Sequence, residues 1–181
     1  GTGTMWYFEQ TGIVPDIVVF GKKVQVSGIM VRAHVAKIFE TPVRLEVTWD
    51  GTVADMVRGK YILRAYEQDG ILANVRAQGE RLVSGLRRLP KLRRIRNAGL
   101  LVAFDCENEQ ERNALFDALV RERFLCNRTR LQTIRLRPPL SVTVAEVDDA
   151  LGRIERALAT CGSAVGGQTV DGLVEAVVTR T

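Results

Sequence analysis

The stretch PDIVVFGKKVQVSG, Pro15 to Gly28, decides how the first part of the chain folds. The apolar run IVVF that begins at Ile17 is rich in branched side chains, and VQVSGIMV alternates around a glycine, so both segments are predicted to be strands. Lys22 and Lys23 then lie between the two strands. Because side chains alternate between the two faces of a strand, we expect these lysines to point to opposite sides.

The rest of the sequence alternates between helical and strand patterns. Apolar residues recur at helical spacing from Thr52 to about Ala77, which predicts one long helix or two helices joined near Gly70. A helix continues to Leu89, where Pro90 stops it. The pattern alone therefore predicts an α/β protein.

Four more elements follow Pro90. The apolar run GLLVAFDC, residues 99–106, predicts a strand, and residues 107–124 carry a helical pattern behind acidic and capping residues. In TIRLRPPL, Ile134 and Leu136 alternate with Arg135 and Arg137, which predicts a strand that the two prolines end. A last helix is predicted from Thr143, because a glutamate three residues later completes a capping box.

Composition sets limits on the class of protein. The 181 residues are 46% apolar, and no window approaches the roughly eighteen uninterrupted apolar residues that a membrane helix needs. The three cysteines, Cys106, Cys126 and Cys161, lack the CxxC spacing of a zinc or redox site. We expect a soluble globular protein, no metal, and buried thiols in a reducing compartment.

The net charge of +5 is unevenly distributed. A basic cluster of this kind can bind nucleic acid by neutralising phosphates, so a nucleic-acid-binding module is one hypothesis. The cluster lies on periodic segments without aromatic residues for base stacking, which favours a solvated face or a subunit contact. Its members are Arg81, Arg87, Arg88, Lys91, Arg93, Arg94 and Arg96.

Two adjacent lysines at the end of a strand are usually solvated, positively charged residues. If one of them faces an apolar, partly closed cavity, desolvation disfavours the charged form of its amine. The free lone pair can then attack a carbonyl carbon and form a Schiff base. The residues alone leave both interpretations open.

The segment PDIVVFGK resembles the lysine segment of the class III pyridoxal-phosphate-dependent aminotransferases. FGKKVQVSG, RLEVTWDG, DMVRG, GLLVAFD and TIRLRPPL extend the resemblance, with gaps and in the family's order, from Gly3 to about Leu158. The resemblance implies the α/β fold of type I pyridoxal-phosphate enzymes: the end of a large, mostly parallel cofactor domain and a small α/β domain. The implied divisions are the large domain over 1–50, a connecting helix over 51–77, the small domain over 78–160 and a tail over 161–181.

The resemblance also implies roles for individual residues. The spacing from Pro15 makes Lys22 the residue that forms the Schiff base with pyridoxal phosphate and then carries a proton. Thr48 would give its hydroxyl to the cofactor phosphate of the neighbouring subunit, although Asp50 and Thr52 stand where the family usually has glycine and asparagine. Arg135 would bind the substrate α-carboxylate. Arg137 is expected on the same face in a structural pair, Lys23 at the rim, and His34 at the surface or an interface.

The implied activity is transfer of an amino group in a cytoplasmic homodimer with a shared site. The motifs are most similar to members that move the terminal amine of L-lysine to 2-oxoglutarate, giving 2-aminoadipate semialdehyde and glutamate; ornithine or 4-aminobutyrate is the alternative amine donor. The family's aspartate for the cofactor ring nitrogen comes shortly before GTGT. We therefore expect the carboxyl-terminal part of an enzyme, inactive or nearly so alone, with a non-catalytic truncated partner as the alternative.

Overall fold

The computed structural model describes residues 1–42 and 51–161. Over these residues the chain forms six strands and four α-helices, joined by short 3₁₀ segments. It divides into two compact units. The amino-terminal unit is Thr4–Leu72, and the carboxy-terminal unit combines Gly1–Gly3 with the chain from Ala73 onward.

The amino-terminal unit contains a hairpin and a helix. Strands β1 (Ile17–Phe20) and β2 (Gly28–Val31) pair antiparallel, with Phe20 opposite Gly28 at the closed end. Between them the chain forms a 3₁₀ turn, Lys22–Val24, called the lysine turn below. Helix α1 (Val53–Gln68) follows, and further 3₁₀ segments lie at Tyr7–Gln10 and Ala33–Phe39.

The prediction that Lys22 and Lys23 lie between two strands is confirmed, but the expectation that they alternate as strand residues is wrong. Both residues lie in the lysine turn, and the second strand begins only at Gly28, although strand-like alternation starts at Val24. The reason is the backbone: Lys22 and Gln25 adopt φ values of 59° and 62°, in the left-handed region. These angles reverse the chain, so a strand cannot run through this segment.

The helical pattern after Thr52 forms two helices, which confirms the second of the two predicted arrangements. Helix α1 ends at Gln68 and helix α2 (Ile71–Leu86) begins after Gly70. Gly70 has a φ of 58°, a conformation that glycine adopts without steric cost and that commonly ends a helix. Helix α2 ends at Leu86, three residues earlier than predicted, and a turn leads to Pro90.

The carboxy-terminal unit is built on a four-stranded sheet. Strands β3 (Arg93–Ala98), β4 (Leu101–Asp105), β5 (Asn127–Thr129) and β6 (Thr133–Leu136) lie in the order β3-β4-β6-β5. Every strand pair among residues 1–42 and 51–161 is antiparallel, so the parallel sheet expected of a large domain does not occur in that part. Short hairpin connections, as between β1 and β2, permit only antiparallel pairing.

One face of the four-stranded sheet forms the core. Helices α3 (Glu109–Arg121) and α4 (Val144–Cys161) complete the unit with α2, and α3 contacts both α4 and β6. Ile134 and Leu136 are buried, as their alternation with Arg135 and Arg137 predicted. Other buried apolar residues are Val75, Leu82, Leu86, Val102, Phe104, Leu115, Leu119, Ile154 and Ala157.

Candidate active site

Lys22 occupies a strained position on the closed end of the β1–β2 hairpin. Its φ of 59° is left-handed, which costs a residue with a Cβ atom about 1–2 kcal/mol. The Lys22 carbonyl accepts hydrogen bonds from the backbone N–H of Gln25 at 2.9 Å and from its side-chain Nε2 at 3.1 Å. Such strain is often kept at functional positions, so the turn itself is a candidate functional feature.

The Lys22 amine is accessible. The residue is exposed, and in the described part of the chain its side chain makes no hydrogen bond or ion pair. An amine without a partner can approach an electrophile without first breaking a contact. The Lys23 side chain lies outside what the structure describes, so the expected rim position of Lys23 stays a prediction.

Arg135 lies on the face of the sheet opposite the core. In the register of the sheet it stands between Ala103 of β4 and Asn127 of β5, and Ala103 in turn stands opposite Arg96 of β3. Arg96 and Arg135 therefore flank a small side chain on one face of the sheet. The Nε atom of Arg135 is buried and has no hydrogen-bond partner. A buried donor without a partner favours a polar ligand at this position.

A buried carboxylate, Asp105, organises the charges on the same face. It is 0% exposed and accepts hydrogen bonds from Thr133 Oγ1 at 2.7 Å, Arg94 Nε at 2.7 Å and Arg96 Nη1 at 3.0 Å. Burial by itself raises the pKa of Asp105, but these hydrogen bonds and the charge of Arg96 outweigh it and lower the pKa to about 2. The carboxylate is therefore ionised at neutral pH.

Sequence reasoning missed this network. In the sequence, Asp105 is a polar residue near the end of an apolar strand, and Arg94 and Arg96 belong to the basic cluster. The available signal was the period of two along GLLVAFD, which places Asp105 on the same face as Ala103. Pairing of β3 with β4 could then have brought the arginines to the carboxylate.

Other arginines of the basic cluster also have acidic partners. Arg81 forms a two-point ion pair with Asp148, at 2.7 and 2.6 Å, and Arg93 pairs with Glu107. These pairs connect neighbouring elements of the carboxy-terminal unit. They favour the structural interpretation of the cluster over phosphate binding.

The remaining candidate residues have ordinary surroundings or lie outside the described residues. Arg137 donates to Asn127 Oδ1 at 3.4 Å, a structural pair of the kind expected. His34 is exposed, with Nε2 at 3.1 Å from Asp16 Oδ1. Thr48 and Asp50 lie outside the described residues. Thr52 precedes α1 as its N-cap, and its hydroxyl donates to Asp55 at 2.6 Å.

The surroundings of the cysteines raise the pKa values of their thiols. All three cysteines are free. Burial raises the pKa of Cys106 to about 11 and that of Cys126 to about 12, and it also raises the pKa of Cys161. The thiol forms therefore dominate at neutral pH. Within the described residues there is no group of three or more side chains suited to hold a metal, and no helix is long and apolar enough to cross a membrane.

Comparisons with known proteins define the family. The sequence matches the family described as Aminotransferase class-III over residues 1–158. It is 35% identical over 166 residues to the L-lysine-epsilon aminotransferase of Mycobacterium tuberculosis (strain H37Rv), covering 87% of this chain and 37% of that protein. It is 30% identical over 165 residues to the ornithine aminotransferase of Bordetella pertussis, covering 87% of this chain and 40% of that protein.

The structural comparison agrees. A solved structure of lysine aminotransferase from M. tuberculosis in the internal aldimine form matches with a TM-score of 0.83 and 36% identity, over 88% of this chain and 39% of that one. The chain belongs to the class III aminotransferases. It has the α/β fold of these pyridoxal-phosphate-dependent transferases, and it spans about two fifths of the length of the relatives it matches.

The described residues fit a role in holding the family's cofactor. Pyridoxal phosphate carries an aldehyde, and the accessible, unpartnered amine of Lys22 is a group that can bond to it. Lys22 belongs to the amino-terminal unit, whereas Arg135 belongs to the carboxy-terminal unit. The hydroxyl expected for the phosphate, that of Thr48, lies outside the described residues.

Proposed function

We propose that this chain contributes the lysine and the substrate-binding arginine of a transaminase that moves the terminal amine of L-lysine to 2-oxoglutarate. The observation that carries the proposal is the lysine turn, where an accessible amine stands on a strained backbone in a chain of the class III family. The products would be 2-aminoadipate semialdehyde and glutamate. Ornithine or 4-aminobutyrate remains the alternative amine donor.

Lys22 has two tasks in this proposal. Its amine would hold pyridoxal phosphate covalently, and once a substrate amine has displaced it, Lys22 would act as the base beside the reacting carbon. There it would accept the proton from the substrate carbon that bears the nitrogen and deliver it to the C4' carbon of the cofactor, not back to the same carbon. The bound cofactor supplies the electron sink that makes loss of this proton possible. The left-handed turn sets the direction in which the Lys22 side chain leaves the backbone.

Arg135 has the task of binding a substrate carboxylate. A guanidinium can hold a carboxylate by two parallel hydrogen bonds, and the Arg135 Nε lacks a partner in the described structure. Ala103 is the small residue that stands opposite Arg135 in the register of the sheet, and Arg96, which also donates to Asp105, lies on the same face. With its α-carboxylate held there, lysine would present its terminal amine for reaction.

The identity of the amine donor rests on the relatives. L-lysine-epsilon aminotransferases from three genera match at 32–35% identity, whereas an ornithine and two acetylornithine aminotransferases match at 29–30%. This difference favours L-lysine. The described residues contain no further group that separates lysine from ornithine, because the two differ by a single methylene.

A homodimer with a shared site is part of the proposal. Apolar side chains on α1 are exposed in this chain, including Val53 at 75% and Tyr61 at 61%, and a second subunit would cover such a surface. The role of Thr48 toward the partner's cofactor belongs to the same proposal. The free thiols support a reducing location, which we propose to be the cytoplasm.

Replacement of the lysine tests the proposed function. In the full-length protein, Lys22→Ala should lower turnover of L-lysine with 2-oxoglutarate to background, because the proposal assigns both the bond to the cofactor and the proton transfer to the Lys22 amine. The matched control, Lys23→Ala, should retain most of the activity. Borohydride treatment with pyridoxal phosphate, followed by peptide mass spectrometry, should locate the cofactor on Lys22. Wild-type turnover in Lys22→Ala would disprove the role assigned to Lys22. If the wild-type protein turned over ornithine faster than L-lysine, ornithine would be the proposed amine donor instead.

Replacement of Arg135 tests the carboxylate site. Arg135→Gln should raise the KM for the amino acid roughly 10- to 100-fold, the effect of losing charged hydrogen bonds worth about 1.5–3 kcal/mol. Arg137→Gln is the control, since Arg137 already pairs with Asn127. Steady-state kinetics with L-lysine varied at saturating 2-oxoglutarate measures the change. An unaltered KM in Arg135→Gln would remove Arg135 from the site.

A further inference from the structure

Helix α1 packs against the lysine turn, and Gly59 lies at this contact. Among the described residues of the amino-terminal unit, Gly59 is the one that is buried. A Cβ atom placed on Gly59 would lie 2.9 Å from Val26 Cγ1 and 3.4 Å from the carbonyl oxygen of Val24. The first distance is shorter than carbon atoms tolerate, so a larger residue requires the Val26 side chain, the turn or the helix to shift.

The presence of glycine in this helix needs a reason. A glycine in a helix interior costs about 1 kcal/mol relative to alanine, and Gly59 lies well inside α1 (Val53–Gln68). Its φ is helical rather than left-handed, so the backbone does not require glycine. The close approach of Val24 and Val26 remains as the physical reason.

The backbone of the lysine turn is strained, so contacts with surrounding residues must stabilise it. Lys22 and Gln25 both have left-handed φ values, and each costs on the order of 1–2 kcal/mol. Strained backbone persists only where its surroundings hold it in place. Within the hairpin, the two hydrogen bonds from Gln25 to the Lys22 carbonyl provide part of that support. The contact of Val24 and Val26 with α1 provides another part, from outside the hairpin.

We propose that Gly59 is a positioning residue for the catalytic lysine: by letting α1 pack directly on the lysine turn, it fixes where the Lys22 amine stands. The inference rests on the proposed role of Lys22 and extends it to a residue that touches neither substrate nor cofactor. A displacement of about 1 Å in a reacting group can cost about 100-fold in rate. A small shift of the turn would therefore be visible in how Lys22 reacts.

The experiment measures which lysine takes up pyridoxal phosphate. The full-length protein is incubated with pyridoxal phosphate and reduced with borohydride, and peptide mass spectrometry gives the ratio of label on Lys22 to label on Lys23. In the wild type we expect a strong preference for Lys22. Gly59→Val should lower the ratio at least tenfold and Gly59→Ala less, because valine intrudes further on Val26. Circular dichroism and thermal unfolding of each variant monitor folding separately.

Two further variants make the test specific. Ala54→Val adds the same side chain to an exposed position of α1 and should leave the ratio unchanged. The double variant Gly59→Val with Val26→Ala removes the atom that valine would strike, and should restore most of the preference. If Gly59→Val does not fold, Gly59→Ala with and without Val26→Ala answers the same question.

The outcomes separate this inference from the proposed function. Absence of a Lys22 preference in the wild type would overturn the proposed function itself. A wild-type preference for Lys22 that persists in a folded Gly59→Val protein would overturn only the role of Gly59. An equal loss in Ala54→Val, or no recovery with Val26→Ala, would also overturn it, because the effect would then not arise from the contact with the turn.

Discussion

Lys22 shows how one residue can combine a chemical group with stored strain. On a regular strand, the backbone of a lysine is held by hydrogen bonds to the neighbouring strand, and its side chain points to one face of the sheet. In the left-handed turn, the direction is set instead by the turn and by whatever packs against it. In the proposed role of Lys22, this strain of about 1–2 kcal/mol is below the roughly 100-fold loss of rate, about 2.7 kcal/mol, that a displacement of about 1 Å can cause.

Asp105 makes the stability of the carboxy-terminal unit depend on pH. Its pKa is about 2 in the folded protein and 3.8 in its ordinary state, so folding favours the ionised form. The stabilisation is present above pH 4 and is lost as the pH falls from about 4 to about 2. The difference corresponds to about 2 kcal/mol of unfolding free energy.

The measurement is urea unfolding between pH 5 and pH 2. Wild-type unfolding free energy should fall more steeply over this range than that of Asp105→Asn, which has no carboxylate to protonate. Glu80→Gln removes an exposed carboxylate on α2 and serves as the control. Equal pH dependence in wild type and Asp105→Asn would show that the network around Asp105 does not contribute.

At the scale of elements, the sequence predicted well where a local signal fixes the structure. The capping box of α4 forms as predicted: the Thr143 backbone N–H donates to Glu146 at 2.8 Å, and the Glu146 N–H donates to Thr143 Oγ1 at 3.3 Å. The break between α1 and α2 occurs at Gly70, the residue that suggested it. In both cases the information lies within a few residues of the feature.

Prediction failed where the decisive contact comes from elsewhere in the chain. The two left-handed residues, Lys22 and Gln25, are neither glycine nor asparagine, so the sequence carries no turn signal there. The alternation from Val24 therefore predicted a strand, although β2 begins only at Gly28. The short strand β5 carries little pattern of its own and is defined by its pairing with β6. The resemblance to the family predicts Lys22 and Arg135 as site residues. The contacts of Asp105 and Gly59 involve residues far away in the sequence, so no local pattern predicts them.

At the scale of the whole molecule, apolar burial is concentrated in one unit. The buried apolar side chains of the described residues all lie at or beyond Val75, in the carboxy-terminal unit. In the described part of Thr4–Leu72, large apolar side chains are half-buried or exposed, among them Val19 at 76%. Because burial of apolar surface is the main source of stability, the two units should differ in their resistance to opening.

Hydrogen exchange of this chain by mass spectrometry should show that difference. Backbone amides of β4, β6 and α3 should exchange at least about 100-fold more slowly than those of β1, β2 and α1, since opening of the amino-terminal unit exposes little additional apolar surface. Measurement at two protein concentrations adds a control for association, which would cover α1 and slow its exchange. Equal protection of both units at low concentration would contradict the prediction. Protection of α1 that rises with concentration would instead identify a second copy as its cover, as the proposed homodimer requires.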